Sequence, residues 1–190
     1  SLRTRLAPSI ALDVQVVEGD LALLDILELD TVGRGTLDKL HLGALQRALA
    51  DGSVVHRGRQ RVRTRNSLAA GSSGTEAHYV ADYDVRRPKT GPVSASAVLG
   101  EVFSGIQVEA RALPTIEGSS VRVDLDVWHS ADIAGAKAEV STPHGTLTLP
   151  AMAVTHLQGT AKVLLDRTQV VGGAIEGNRV QLVLVRASWE

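Results

Sequence analysis

Residues 9–17, SIALDVQVV, place Ile10, Leu12, Val14 and Val16 on one parity with polar residues between them. That period of two is the pattern of a half-buried strand. LALLDILELD, over 21–30, spaces its apolar residues in a way that suits a short helix or a strand equally. Over 35–53 the period changes. In GTLDKLHLGALQRALADGS, Leu37, Leu40, Leu45 and Leu49, with Ala44 and Ala48, recur at steps of three and four. This predicts an amphipathic helix whose leucine stripe faces a core. Thr36 is placed to cap its start, and Asp51–Gly52 to stop it. Gly43 weakens the middle by roughly 1 kcal/mol relative to Ala.

From residue 54 onward the pattern is that of strands. In 54–85, turns are expected at Asn66–Ser67 and across Gly71 to Gly74. RRPKTGPVSAS opens a polar, Pro- and Gly-containing stretch over 86–100 that is expected to be a mobile loop. GIQVEARALPTI and SSVRVDLDVWHS alternate cleanly around Glu117–Gly118 and predict a hairpin over 105–130. Residues 131–150 are weaker, with Pro143–His144–Gly145 as a turn. The remaining runs, AMAVTHLQGTAKVLLD, TQVVGGAI and NRVQLVLVRASW, read as strands. Gly172–Gly173 marks a bend or a close backbone approach where one of them ends. The fold class is therefore mainly β, an α+β chain with one prominent helix near the N-terminal third, and residues 1–190 are expected to form one domain.

Composition narrows the chemistry. Lys plus Arg total 20 against 21 for Asp plus Glu, so nothing marks a strongly basic nucleic-acid surface. The chain has no cysteine, which excludes disulfides, thiolate zinc and iron–sulfur sites, and Cys nucleophiles. With one Phe, two Trp and two Tyr, the core has to be built from Val, Leu, Ile and Ala. No apolar run of about 18 residues is present to cross a membrane as a helix. The opening SLRTRLAPS reads as a processed or trimmed start, which leaves export open.

Arg57, Arg59, Arg61, Arg63 and Arg65 fall on every second residue, so a strand would put all five on one face. One reading is a basic band lining a pore or meeting an anionic partner. The other is a solvated edge face, paired to acids such as Glu76, Asp82 and Asp84 on a neighbouring strand. GSSGTE, over 71–76, lacks the Lys–Ser/Thr ending of a phosphate loop. The six histidines have no paired metal-ligand spacing. DLDVWH sets Asp124, Asp126 and Trp128 on one strand face, which fits acid–base work or simply a wet face. No Gly–x–Ser–x–Gly elbow appears. No catalytic, cofactor or metal site is expected.

The order of parts resembles the C-terminal β domain of the secretins, ring-forming outer-membrane pores of bacterial secretion systems, type IV pili and filamentous phage export. IALDVQVVEGD is similar to the family's opening strand, with its Val17–Glu18 pair. TLDKLHLGALQRALADGSVVHRGRQRVRTRN resembles the helix, Gly turn and strand that follow. AAGSSGTEAHYV resembles the small-residue segment with an aromatic near its end. GIQVEARALPTIEGSSVRVDLDV resembles the long hairpin, whose first strand ends in Pro–x–Ile, here Pro114–Thr115–Ile116. LLDRTQVVGGAI resembles the segment carrying a Gly–Gly pair. In the family that pair precedes a long insertion that helps form a membrane-embedded lip. Here only EGN separates Ile175 from RVQLVLVRA.

The resemblance implies a homo-oligomer of many copies in a ring. Its strands would join those of neighbours as a conduit for macromolecule or pilus export at the bacterial outer membrane or periplasm. Other envelope or secretion-system proteins would be its partners, and catalysis and nucleic acid would play no part. The missing lip points to an alternative, a soluble secretin-fold ring or scaffold that does not span a membrane. The same alternation in 105–130 also suits a monomeric β sandwich. Val183→Pro in the terminal strand is expected to break assembly, if that strand lies at a paired edge.

Overall fold

The computed structural model describes residues 9–29 and 34–190. The opening SLRTRLAP, read as a processed start, lies outside them, as does Asp30 at the end of the ambiguous 21–30 run. The fold is mainly β, with 71% strand and 10% helix in two antiparallel sheets and two helices.

In chain order the elements are β1 (Ile10–Asp20), α1 (Ala22–Ile26), β2 (Gly35–Leu37), α2 (Lys39–Asp51), β3 (Val55–Thr64), β4 (Ala69–Arg86), β5 (Ser94–Pro114), β6 (Ser120–Thr142), β7 (Gly145–Leu164), β8 (Thr168–Glu176) and β9 (Arg179–Trp189). One sheet has five strands in the order β2-β8-β9-β1-β3, the other four in the order β4-β5-β6-β7.

The chain divides into two compact units. The first comprises residues up to Ser73, Ile106–His129 and Thr155–Glu190. It is built on the five-stranded sheet, and its core lies on both faces of that sheet. On one face Ile10, Leu12, Val14 and Val16 of β1, with Val183, Val185 and Ala187 of β9, meet Ile106 and Val108 of β5 and Val121, Val123 and Val127 of β6. On the other face Leu182 and Leu184 of β9 meet Leu23 and Leu27 of the α1 region and Leu45 and Ala48 of α2. β9 is buried on both faces, which is why QLVLV reads as a continuous apolar run rather than an alternation.

The second unit comprises Gly74–Gly105 and Ser130–Val154, the distal parts of hairpins β4–β5 and β6–β7. Among its described side chains only Leu147 is a buried hydrophobic. Val98, Leu99, Ile133, Val140 and Val154 are all exposed.

β1 and the 105–130 hairpin form as expected, with Gly118 at φ 71° in the turn. The ambiguous 21–30 run resolves to the short helix α1. The predicted long helix starts later. Gly35–Leu37 pairs with β8, so Thr36 is in a strand and is no cap. Asp38 caps α2 instead, accepting from the Leu40 and His41 amides at 2.8 and 2.9 Å. Gly52 at φ 81° stops it.

Gly71 to Gly74 make no turn, because both glycines lie inside β4. A Cβ at Gly71 would collide with the Gln60 side chain, and one at Gly74 with the Ser104 carbonyl. These glycines serve close approach rather than chain reversal. The loop expected over 86–100 is loop only between Arg86 and Ser94, because β5 starts at Ser94.

Candidate functional site: the arginine strand and the sheet edges

β3 lies at one edge of the five-stranded sheet and pairs antiparallel with β1. A bulge between Val16 and Val17 leaves Arg57 opposite no single residue. Arg57, Arg59, Arg61 and Arg63 are exposed, while Val62 and Thr64 turn inward. Arg65 lies beyond the end of β3, in the bend that contains Asn66 at φ 62°. The strand therefore carries four of the five arginines expected on one face.

Their counter-ions are not Glu76, Asp82 or Asp84, which lie on β4. β3 is hydrogen-bonded to β1, and its partners come from there and from the end of β9. Arg59 forks onto Asp13, with Nε at 2.8 Å from Oδ1. Arg61 and Arg63 share Glu190, Arg63 Nε lying 2.6 Å from Oε2. Arg57 donates from Nε and Nη2 to the two oxygens of Glu18 at 2.9 and 3.2 Å. Arg179 Nε adds a contact of 2.5 Å and Gln181 Nε2 one of 3.0 Å to the same carboxylate.

Glu18 is only 7% exposed. Burial would raise its pKa, but the hydrogen bonds from Arg57 and Gln181 and the charges of Arg57 and Arg179 outweigh it and hold the carboxyl below its ordinary value. His129 is 5% exposed and is pushed the other way for a base. Burial, and then the Arg57 charge, lower its pKa against the opposing effects of Glu18 and a hydrogen bond with the Arg57 backbone.

Gly172 and Gly173 lie inside β8 rather than at its end. The register with β9 shifts between Val170 and Gly172, a bulge that leaves Val171 opposite no single residue. A Cβ on Gly173 would stand 2.5 Å from the Gln181 carbonyl oxygen, so the glycine permits the close approach of β8 and β9. β8 and β9 are joined through Gly177 at φ 59°.

The acidic face of β6 holds a small network with β7. His156 Nε2 lies 2.7 Å from Asp126 Oδ1, and its ring stacks on Trp128 at 3.8 Å and 12°. Thr160 Oγ1 donates to Asp124 at 2.8 Å, the leading reason that this carboxyl titrates below its ordinary value. This is the wet strand face read from DLDVWH, completed by a histidine that spacing did not reveal. Among the described residues no group of three or more His, Cys, Asp or Glu side chains could hold a metal.

The sheet edges carry the second feature. β9 is not one of them, since it pairs with β8 on one side and β1 on the other. Val183→Pro would break the core of the five-stranded sheet, not an intersubunit seam. The outer strands of the four-stranded sheet are β4 and β7, of 18 and 20 residues. Strands in globular proteins usually run to about 3–10 residues.

No family model, curated protein or solved structure matches this chain. Among the described residues no helix is long and apolar enough to cross a membrane, which says nothing about crossing by strands.

Proposed function

We propose that this chain is the subunit of a large homo-oligomeric ring, a secretin-like conduit of the bacterial cell envelope that works by assembly rather than catalysis. The observation that carries this reading is the second compact unit. Its strands are long, its two outer edges have no partner in the sheet, and Leu147 is its single buried hydrophobic among the described side chains. A sheet gains stability by burying one face and by pairing its edges, and a long unpaired edge is a template for another chain. Pairing β4 of one copy with β7 of the next satisfies both edges and repeats around a closed ring. The exposed Val98, Leu99, Val140 and Val154 would gain cover from neighbouring copies or from an apolar layer.

One observation favours a ring that stays out of the membrane. β8 passes to β9 through Gly177 and Asn178 alone, where the resembling family carries its lip-forming insertion. The arginine strand fits either form as a solvated, mostly neutralised face.

The test is negative-stain imaging and analytical ultracentrifugation of purified protein, with and without detergent. Rings of many copies are the expected result. Rings that persist without detergent place the chain in the soluble class. A monodisperse species of a single chain's mass at every concentration would falsify the ring.

A further inference from the structure

β4 and β7 are the outer strands of the four-stranded sheet, yet in the second unit residues of both line one cleft. Tyr79 and Tyr83 of β4, Lys137 of β6 and Thr146, Thr148 and Pro150 of β7 all contribute to it. A Cβ built on Gly145 would lie 3.5 Å from Tyr83 Oη, an ordinary van der Waals contact. In a flat sheet, strands three places apart are separated by about 14 Å, three times the usual spacing. The sheet is therefore rolled, so that the tyrosine of one edge reaches the start of the other. Gly145 contributes by adopting φ 143°, which other residues rarely do. Tyr83 is half-buried in a unit that is otherwise largely exposed.

We infer that Tyr83 against Gly145 is a clasp that holds the free protomer's sheet rolled, with its two edges turned toward each other, and that assembly requires the clasp to open. The inference rests on the ring reading. A barrel made from many copies has little curvature per strand, because its diameter grows with strand number. Four strands rolled tightly enough to bring Tyr83 of β4 to Gly145 of β7 do not fit that curvature. The free energy that favours the rolled state is therefore subtracted from assembly, as for any equilibrium in which a partner selects one conformation. The clasp would keep lone subunits from pairing their long edges at random.

The chain has no cysteine, so a Tyr83→Cys/Thr146→Cys pair supplies the only thiols. A short bismaleimide with a reducible link is applied to dilute protein, followed by sedimentation and negative-stain imaging. We expect intramolecular cross-linking, no rings from the cross-linked protein, and rings once reductant cleaves the linker. Tyr83→Ala without cross-linker is expected to form rings at roughly tenfold lower protein concentration than the unsubstituted chain. Rings from cross-linked protein, or an unchanged threshold for Tyr83→Ala, would overturn the clasp while leaving the ring intact. An unsubstituted chain that never forms rings sinks the ring reading itself. In that case the cross-linking yield in dilute protein still decides whether the rolled sheet exists, and failure to cross-link removes it.

Discussion

His129 is a buried base beside a cation. Its ring is hydrogen-bonded to the backbone of Arg57, the bulged residue of β3 that also clamps Glu18. Because its folded pKa lies below the ordinary value of 6.5, the unfolded chain takes up a proton first as pH falls. The stability contributed by neutral His129 is complete above pH 6.5 and is lost as pH drops from there toward the folded value. Glu18 acts in a separate, lower window. Its folded pKa lies below 4.5, so its contribution is present above that value and is lost as the carboxylate protonates. Thermal unfolding of the chain between about pH 8 and about pH 5 should therefore show a falling midpoint in which Glu18 has little share. His129→Gln should flatten that slope. Equal slopes for His129→Gln and the unsubstituted chain would remove His129 as the cause.

Among the elements, glycines separate by what surrounds them. Gly173 and Gly159 both sit inside strands with negative φ, yet their spaces differ. A side chain on Gly173 meets the Gln181 carbonyl and the Leu182 side chain, whereas nothing lies within 4 Å of a Cβ on Gly159. Gly173→Val should cost about 2–3 kcal/mol by prising β8 from β9. Gly159→Ala should be neutral or stabilising by about 0.4–1 kcal/mol, through loss of freedom in the unfolded chain. Chemical denaturation of both variants measures the contrast, and similar losses for both would argue that the β8–β9 approach is looser than it stands.

The same distinction decides how much of the chain was legible in its sequence. Where a glycine stands beside a periodicity change, as at Gly52 or Gly118, the turn reading is borne out. Gly71 and Gly74 look identical in sequence but are packed against Gln60 and Ser104, and they hid the length of β4. Alternation identified the arginine face, since period two is local. It did not supply the partners of that face, because Arg59 meets Asp13 across 46 residues and Arg61 meets Glu190 across 129. The capping aspartate was hidden by β2, three residues whose strand character comes only from pairing with β8.

At the scale of the whole molecule, the question is which strands are free to pair with another copy. An outer strand alternates its amides, one turned into the sheet and the next turned out of it. Proline removes the amide wherever it is placed, so two adjacent substitutions on β7 probe the two directions separately. In Ala151→Pro and Met152→Pro, one variant loses an amide that holds β7 to β6 and the other loses only an outward one. The first should be less stable than the unsubstituted chain. The second should keep its circular dichroism and thermal midpoint but yield no rings, because the proposed seam with β4 of the next copy has lost a donor and gained a pyrrolidine ring in its place. The pair thus serves as its own control for misfolding. If the stable member of the pair still assembled into full rings, β7 would not be a seam, and the long edges of the second unit would need another explanation.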